Sequence, residues 1–152
     1  MTDTENVDFK IILAAEWFRE APKVKIYLND ELIEETSVEE RGDQEQAKEI
    51  NFSRSLPEGP SKISIVYYNK QNIDTKISEA GEILQDHLLI IKDIEIDEIS
   101  LGYLCFKESK FIPDRKKRPD LPESMKLTTI GYNGTYELTF QVPTYIWFLE
   151  TI

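Results

Sequence analysis

Apolar and polar residues alternate in several short runs along the chain. In KVKIYLND, Val24, Ile26 and Leu28 share one parity, and Lys23, Lys25 and Tyr27 the other. Successive side chains of a strand point to opposite faces, so this spacing predicts a half-buried strand. Asn29-Asp30 reads as a turn, and ELIEETSV as the returning strand of a hairpin. SKISIVYYNK repeats the pattern, with Ile63, Ile65 and Tyr67 on one face and Ser64, Val66 and Tyr68 on the other. The LPEGPSK run before it places Gly59 between Pro57 and Pro60, which predicts a turn that rounds a sheet edge. Residues 39–50 lack apolar periodicity and read as a loop with one short helical turn.

The stretch DHLLIIKDIEIDEI, residues 86–99, poses the sharpest question. Leu88, Ile90, Ile94 and Ile96 share a parity, and Leu89 and Ile91 share the other with Asp93, Glu95 and Asp97. Its first half predicts burial on both faces, its second half burial on one. The core is expected to include Ile65, Ile90, Ile94 and Ile96. Residues 107–126 hold three prolines among dense charge and read as a long loop. Asn133-Gly134 predicts a hairpin, with Tyr136, Leu138 and Phe140 alternating beyond it. Pro143 ends that strand, and TYIWFLETI reads as a last one. No segment has the spacing of an amphipathic helix of ordinary length; AEWFREA offers a turn or two. Short strands punctuated by Gly, Pro and Asn predict an all-β fold. The expectation is an antiparallel β-sandwich of jelly-roll kind with one long Pro- and charge-rich loop. A length of 152 residues fits a single sandwich domain over 1–152.

Composition narrows the function by exclusion. The 29 acids outnumber 18 Lys plus Arg, for a formal charge of -11. A field of that sign repels phosphate backbones and anionic bilayers, so neither nucleic acid nor membrane is an expected partner. No run reaches the roughly 18 apolar residues of a membrane span. The start, MTDTENVDFK, has no basic segment followed by an apolar one, so synthesis is expected in the cytoplasm. One cysteine, Cys105, excludes an intrachain disulfide and reads as a buried small hydrophobe. One histidine, His87, excludes histidine-rich metal centres; HExxH and G-x-S-x-G are absent, and glycines number only six. No catalytic constellation emerges, and the chain is not expected to be an enzyme.

Two kinds of candidate site remain. Alternate acids on one strand face sit about 6.8 Å apart, so Asp93, Glu95 and Asp97 are expected to form a solvated face. Loops gather oxygens better, and YYNKQNIDT supplies Asn69, Asn72 and Asp74, with Asp86 opening the next strand. Hard oxygen ligands of this type favour Ca2+. Aromatic rings with polar edges suit stacking on sugar rings. Tyr68, on the opposite parity to Tyr67, and Trp147 are the candidates for carbohydrate contact.

The order VKIYLND … LPEGPSKISIVYYNK … DHLLIIKDIEIDEI, over about residues 23–101, resembles small calcium-dependent carbohydrate-binding modules. The likeness is to the xylan-binding type with a jelly-roll fold. YYNK, at 67–70, takes the place of a strand end that carries an Asn/Asp-rich loop, and Asp86 that of an acid leading into a later strand. The resemblance implies that Asn69, Asp74 and Asp86 ligate calcium, and that the ion touches sugar hydroxyls. The family's adjacent Asn-Asp pair and its disulfide have no counterpart here. The expected function is non-catalytic binding of a polysaccharide, with calcium as the implied cofactor. The alternative is a structural or assembly protein, for example a bacteriophage virion component, that binds protein partners.

Overall fold

The structure, a computed structural model, describes residues 3–152. In chain order the elements are β1 (Thr4–Glu16), β2 (Lys23–Leu28), β3 (Glu31–Ser37), β4 (Lys48–Pro57), β5 (Gly59–Tyr67), β6 (Lys76–Ile77) and β7 (Ile83–Gln85). There follow β8 (Leu88–Ile96), β9 (Ile99–Ser100), α1 (Leu104–Lys107), β10 (Ser109–Pro113), β11 (Thr129–Ile130), β12 (Gly134–Val142) and α2 (Thr144–Thr151). One sheet runs β11-β8-β1-β4, with β9 added to β8; the other runs β10-β12-β5-β2-β3. β6 and β7 make a separate ribbon. Every strand ladder among the described residues is antiparallel. This is the all-β, antiparallel, jelly-roll-like sandwich that the alternation predicts. No described helix is long and apolar enough to cross a membrane.

The core lies between the two sheets. Val7, Phe9, Ile11 and Leu13 of β1 face Ile63, Ile65, Leu138 and Phe140 of the second sheet, all buried. Phe9 meets Phe140 edge-on at 5.7 Å, and Phe140 meets Trp147 at 6.2 Å. The β2–β3 hairpin forms as expected. Asn29 takes φ +54° in its turn, and the Asn29 side-chain oxygen accepts the Lys62 N–H at 2.9 Å. Between Pro57 and Gly59 the chain leaves one sheet and enters the other, which is the rounded edge that the glycine predicts.

The structure corrects the expectation at five places. β1, the longest strand, falls where none is predicted, and its last residues take up Ala15 and Glu16 of the would-be helical AEWFREA. Ile94 and Ile96 are buried, but Ile90 is only half-buried on the outer side. Pairing jumps from Ile12↔Asp93 to Leu13↔Ile91, so Lys92 is an extra residue and parity flips there. A bulge of this kind turns every side chain beyond it to the other face. The Asn133-Gly134 hairpin does not form, because β11 pairs with β8 in one sheet and β12 with β5 and β10 in the other. Gly134 is required for a different reason: a Cβ there would stand 2.4 Å from the Ile112 carbonyl. TYIWFLETI is a helix, α2, that buries Thr144, Trp147 and Phe148 at helical spacing. Finally, the long loop at 107–126 contains β10 and folds back so that Phe111 pairs with Met125.

Ile94→Ala is expected to lower stability by about 2–5 kcal/mol, from lost transfer energy and a residual cavity. Ile90→Ala should cost clearly less, because the bulge leaves Ile90 outside the core. Urea midpoints for the two variants check the inward face directly. Asp97 and Glu98 both take positive φ in the β8–β9 turn. A left-handed residue other than glycine is strained, so Glu98→Gly should raise stability by up to about 1 kcal/mol in the same measurement.

Candidate functional site

Asn69, Asp74 and Asp86 all belong to a polar network at one end of the sandwich. Asn69 caps the end of β5: its side-chain oxygen accepts the Lys23 N–H at 2.8 Å, and its amide donates to the Ala21 carbonyl at 3.0 Å. Asp74 ends a 3-10 turn over Asn72–Asp74 and is 1% exposed. One of its oxygens accepts Arg19 Nε at 3.0 Å, and the other the Gln71 N–H at 2.8 Å. Asp86 Oδ1 accepts Lys70 Nζ at 2.9 Å, Thr75 Oγ1 at 2.7 Å and the His87 N–H at 2.8 Å. Burial works against the Asp86 carboxylate, but the bonds from Lys70, Thr75 and His87 outweigh it and hold the acid below its ordinary range.

These residues do not suit calcium. Calcium asks for six to eight oxygens gathered around it. Here the Asn69 oxygen, both Asp74 oxygens and Asp86 Oδ1 already accept protein donors, and Arg19 and Lys70 already supply positive charge. Among the described residues, no three His, Cys, Asp or Glu side chains group closely enough to hold a metal ion.

His87 lies beside this network, 1% exposed. Its Nδ1 is in contact with the Tyr67 hydroxyl, which also donates to the His87 carbonyl at 3.0 Å. Nε2 has no hydrogen-bond partner among the described residues. Burial pushes the imidazole below its ordinary value, and the Asp74 charge only partly offsets this. Burial likewise pushes the Tyr67 hydroxyl far up. The pair is a neutral core contact.

The two aromatic candidates part company. Trp147 is 6% exposed and packs against Phe140 and Phe148, so its ring is enclosed in the core. Tyr68 is 40% exposed just past β5, with Lys25 Nζ 5.3 Å from its ring centre. The acid ladder is also divided. Asp93 accepts the Gly102 N–H at 3.0 Å and Ser100 Oγ at 2.5 Å, which fixes the chain after β8. Asp97 sits in the turn, where it accepts the Asp8 N–H at 3.0 Å and Thr144 Oγ1 at 2.6 Å. The Cys105 thiol beside Asp93 is buried and pushed up to about 12, first by burial and then by that carboxylate, so it is unreactive.

Glu95 alone of the ladder faces an open cleft of about 420 Å3, lined by Asp8, Phe9, Lys10, Asn51, Phe52, Ser53, Glu95 and Glu98. Register explains the grouping. Lys10 of β1 pairs with Asn51 of β4 on one side and Glu95 of β8 on the other. Neighbouring strands lie roughly 4.8 Å apart, so an amide, an ammonium and a carboxylate form one row across three strands. Asp8 and Ser53 form the next row, joined by a 2.5 Å bond from Ser53 Oγ. Phe52 pairs with Phe9 and stacks on it with ring centres 4.8 Å apart, so its ring lies on the inner, core-facing side and not in these rows. A second hollow continues around β4 over Ile33, Glu34, Glu49 and Arg54. There Arg54 grips Glu31 of β3 through three bonds of 3.0–3.2 Å and closes the sandwich edge. None of Asp8, Lys10 or Asn51 is singled out from the sequence alone; the outward alternation along β1 carries the signal for Asp8 and Lys10.

Stability should fall in two stages on acidification. An unfolded histidine takes up a proton near pH 6.5, whereas buried His87 resists it, so stability is complete above about pH 6.5 and is lost below it. Asp86 is likewise held low in the fold, so its contribution disappears only below about pH 4. His87→Gln should abolish the first stage and keep the second, read from urea unfolding between pH 7 and pH 3.

No family model matches the sequence, and no curated protein sequence matches it. Solved structures do match by fold. The carbohydrate-binding module vCBM60 in complex with galactobiose superposes with a TM-score of 0.51 at 7% identity, over 86% of this chain and 96% of the module. A selenomethionine form of vCBM60 superposes with a TM-score of 0.52 at 8% identity, over 88% and 90%. It is described as part of an evolutionary link, by circular permutation, between two families of calcium-dependent carbohydrate-binding modules. At this identity the likeness establishes a shared fold: this chain has the β-sandwich architecture of vCBM60.

Proposed function

We propose that residues 1–152 act as one non-catalytic module that binds a neutral glycan chain in the cleft over β4, β1 and β8. The observation that carries this is the in-register row Asn51–Lys10–Glu95 on the outer face of that sheet. Sugar hydroxyls both donate and accept, and the row offers an amide that does both, an ammonium that donates and a carboxylate that accepts. Asp8, Glu95 and Glu98 outnumber Lys10, and the whole chain carries -11, so an anionic sugar is disfavoured. The vCBM60 fold, solved with galactobiose, agrees with this choice of ligand class. Xylan specificity has no support in these side chains, and no part of the reading uses calcium.

Tyr68 is an exposed ring on the outer side of the other sheet and offers a second position for a glycan. Affinity electrophoresis in gels containing galactan, xylan, glucan or pectate distinguishes the two positions. Retardation by a neutral polysaccharide is expected. Asn51→Ala and Glu95→Gln should each weaken it about tenfold, the worth of one hydrogen bond involving a charged or well-placed group. Tyr68→Ala should leave it unchanged. Loss of binding with Tyr68→Ala alone would move the site to the loop end, and retardation by pectate alone would refute a neutral ligand.

A specific observation also favours the protein-assembly reading. Tyr145, Ile146 and Leu149 of α2 are exposed, as are Tyr103 and Phe106 of the α1 region, whose rings lie 5.8 Å apart. Exposed apolar groups clustered on one helix mark protein contacts more often than glycan contacts. If no polysaccharide retards the protein, but sedimentation shows self-association that Leu149→Glu abolishes, this reading replaces the first.

A further inference from the structure

The side chain of Lys70 is held as an ion is held. Its ammonium donates to Asp86 Oδ1 at 2.9 Å and to the Gly131 carbonyl at 2.7 Å. Its backbone is clamped as well: the Lys70 N–H donates to Asn133 Oδ1 at 2.8 Å, and Asn133 Nδ2 returns a bond to the Lys70 carbonyl at 2.9 Å. The Lys70 and Asp86 side chains are only 16% and 14% exposed. Gly131 makes room, since a Cβ there would come within 3.7 Å of Nζ and 3.2 Å of Leu88. Asp86 Oδ1 in turn gathers Thr75 Oγ1 and the His87 N–H. One charged nitrogen therefore ties together the segment after β5, the entry to β8 and the connection between β11 and β12.

We infer that the Lys70 ammonium is an internal cation that gives this loop end the cross-link a bound metal would give, so that its order is independent of calcium. Calcium orders loops by drawing carboxylate and carbonyl oxygens from separate segments onto one positive centre. Lys70 does so with one carboxylate and one carbonyl, and Arg19 supplies a second fixed cation to Asp74. A divalent ion here would have to displace Nζ from Asp86 and leave a half-buried ammonium without its partner, which is strongly unfavourable. The inference does not depend on the glycan reading, because the network lies at the Leu88 end of β8 and the cleft at the Ile96 end.

The test has two arms. In the first, thermal unfolding and the 15N amide spectrum of the wild type are recorded in EDTA and in millimolar calcium chloride. The midpoint and the signals of Lys70, Thr75, His87 and Gly131 should be the same in both. A saturable rise in midpoint with calcium, abolished by Asp86→Asn, would overturn the inference. The second arm is a double-mutant cycle of Lys70→Met and Asp86→Asn. Lys70→Met should lower the midpoint, because it strands the carboxylate, and the double variant should lose clearly less than the sum of the two singles. Strict additivity would show that the ammonium does not hold Asp86, and would also overturn it. If Lys70→Met fails to fold, Lys70→Gln takes its place in the cycle, and the calcium arm decides on the wild type alone.

Discussion

The structure depends on the burial of one face of β1. Val7, Phe9, Ile11 and Leu13 close the gap to the second sheet, and β1 is paired along both edges, to β4 and to β8. A strand has only two faces, so fixing the inner set fixes the outer one. Asp8 and Lys10 have no freedom to lie elsewhere than on the outer surface. The same register that packs Ile11 between Ile50 and Ile94 sets Lys10 between Asn51 and Glu95. The polar row of the cleft is thus the reverse side of the core, and its spacing is as rigid as the sheet. A binding surface made this way loses little order when a ligand arrives, because the backbone is already fixed.

Electrostatics at the far end of the sandwich obey a different constraint. A chain with charge -11 gains when it places its cations where carboxylates are half-buried. Arg19 at Asp74 and Lys70 at Asp86 do this. Both acids also accept backbone or hydroxyl donors, so their charge is dispersed as well as matched. The long excursion from Asn69 to Asp86 contains only a short 3-10 turn and a two-strand ribbon, with Ile73, Ile77, Ile83 and Leu84 exposed. It has little apolar burial to hold it, and the ion pairs and Asn69 supply the anchorage that a core would otherwise supply.

Much of the fold was legible because period-two alternation is a direct imprint of a half-buried sheet. The β2–β3 hairpin, β5 and the inward Ile94 and Ile96 follow from it. β1 carries the same imprint in Val7, Phe9, Ile11 and Leu13, so the signal for this strand is present in the sequence. Other features had no such imprint. The extra residue at Lys92 costs nothing in local pattern, yet reverses which of Ile90 and Ile91 is inside. Residues 145–149 of α2 are apolar without interruption, and such a run does not tell helix from strand. Asn133-Gly134 is a sound local turn signal, but the two residues of β11 pair with β8 in one sheet while β12 lies in the other. The loop carboxylates Asp74 and Asp86 were legible as members of polar runs between strands. Their donors were not, because Arg19 and Asp74 lie 55 residues apart and only the fold brings them together.

The cleft illustrates why a group of residues on a sheet face is hard to read from a single sequence. Each of its strands announces an outward parity, but not which strand it neighbours or in what register. The order β8-β1-β4 joins residues from the start, the first third and the second half of the chain, and no local pattern encodes that order. A loop site is local and invites attention, as the Asn- and Asp-rich run at 69–74 did. Here the loop has been turned to structural use by Lys70 and Arg19, which occupy its acids with cations of the protein's own. Among the described residues the sheet face has no such internal partners for Asn51 or Glu98, whose side chains stand exposed at the cleft. Polar groups that the fold leaves unsatisfied on a rigid surface are the ones free to meet a ligand, and that asymmetry is the physical reason for placing recognition on the sheet rather than in the loop.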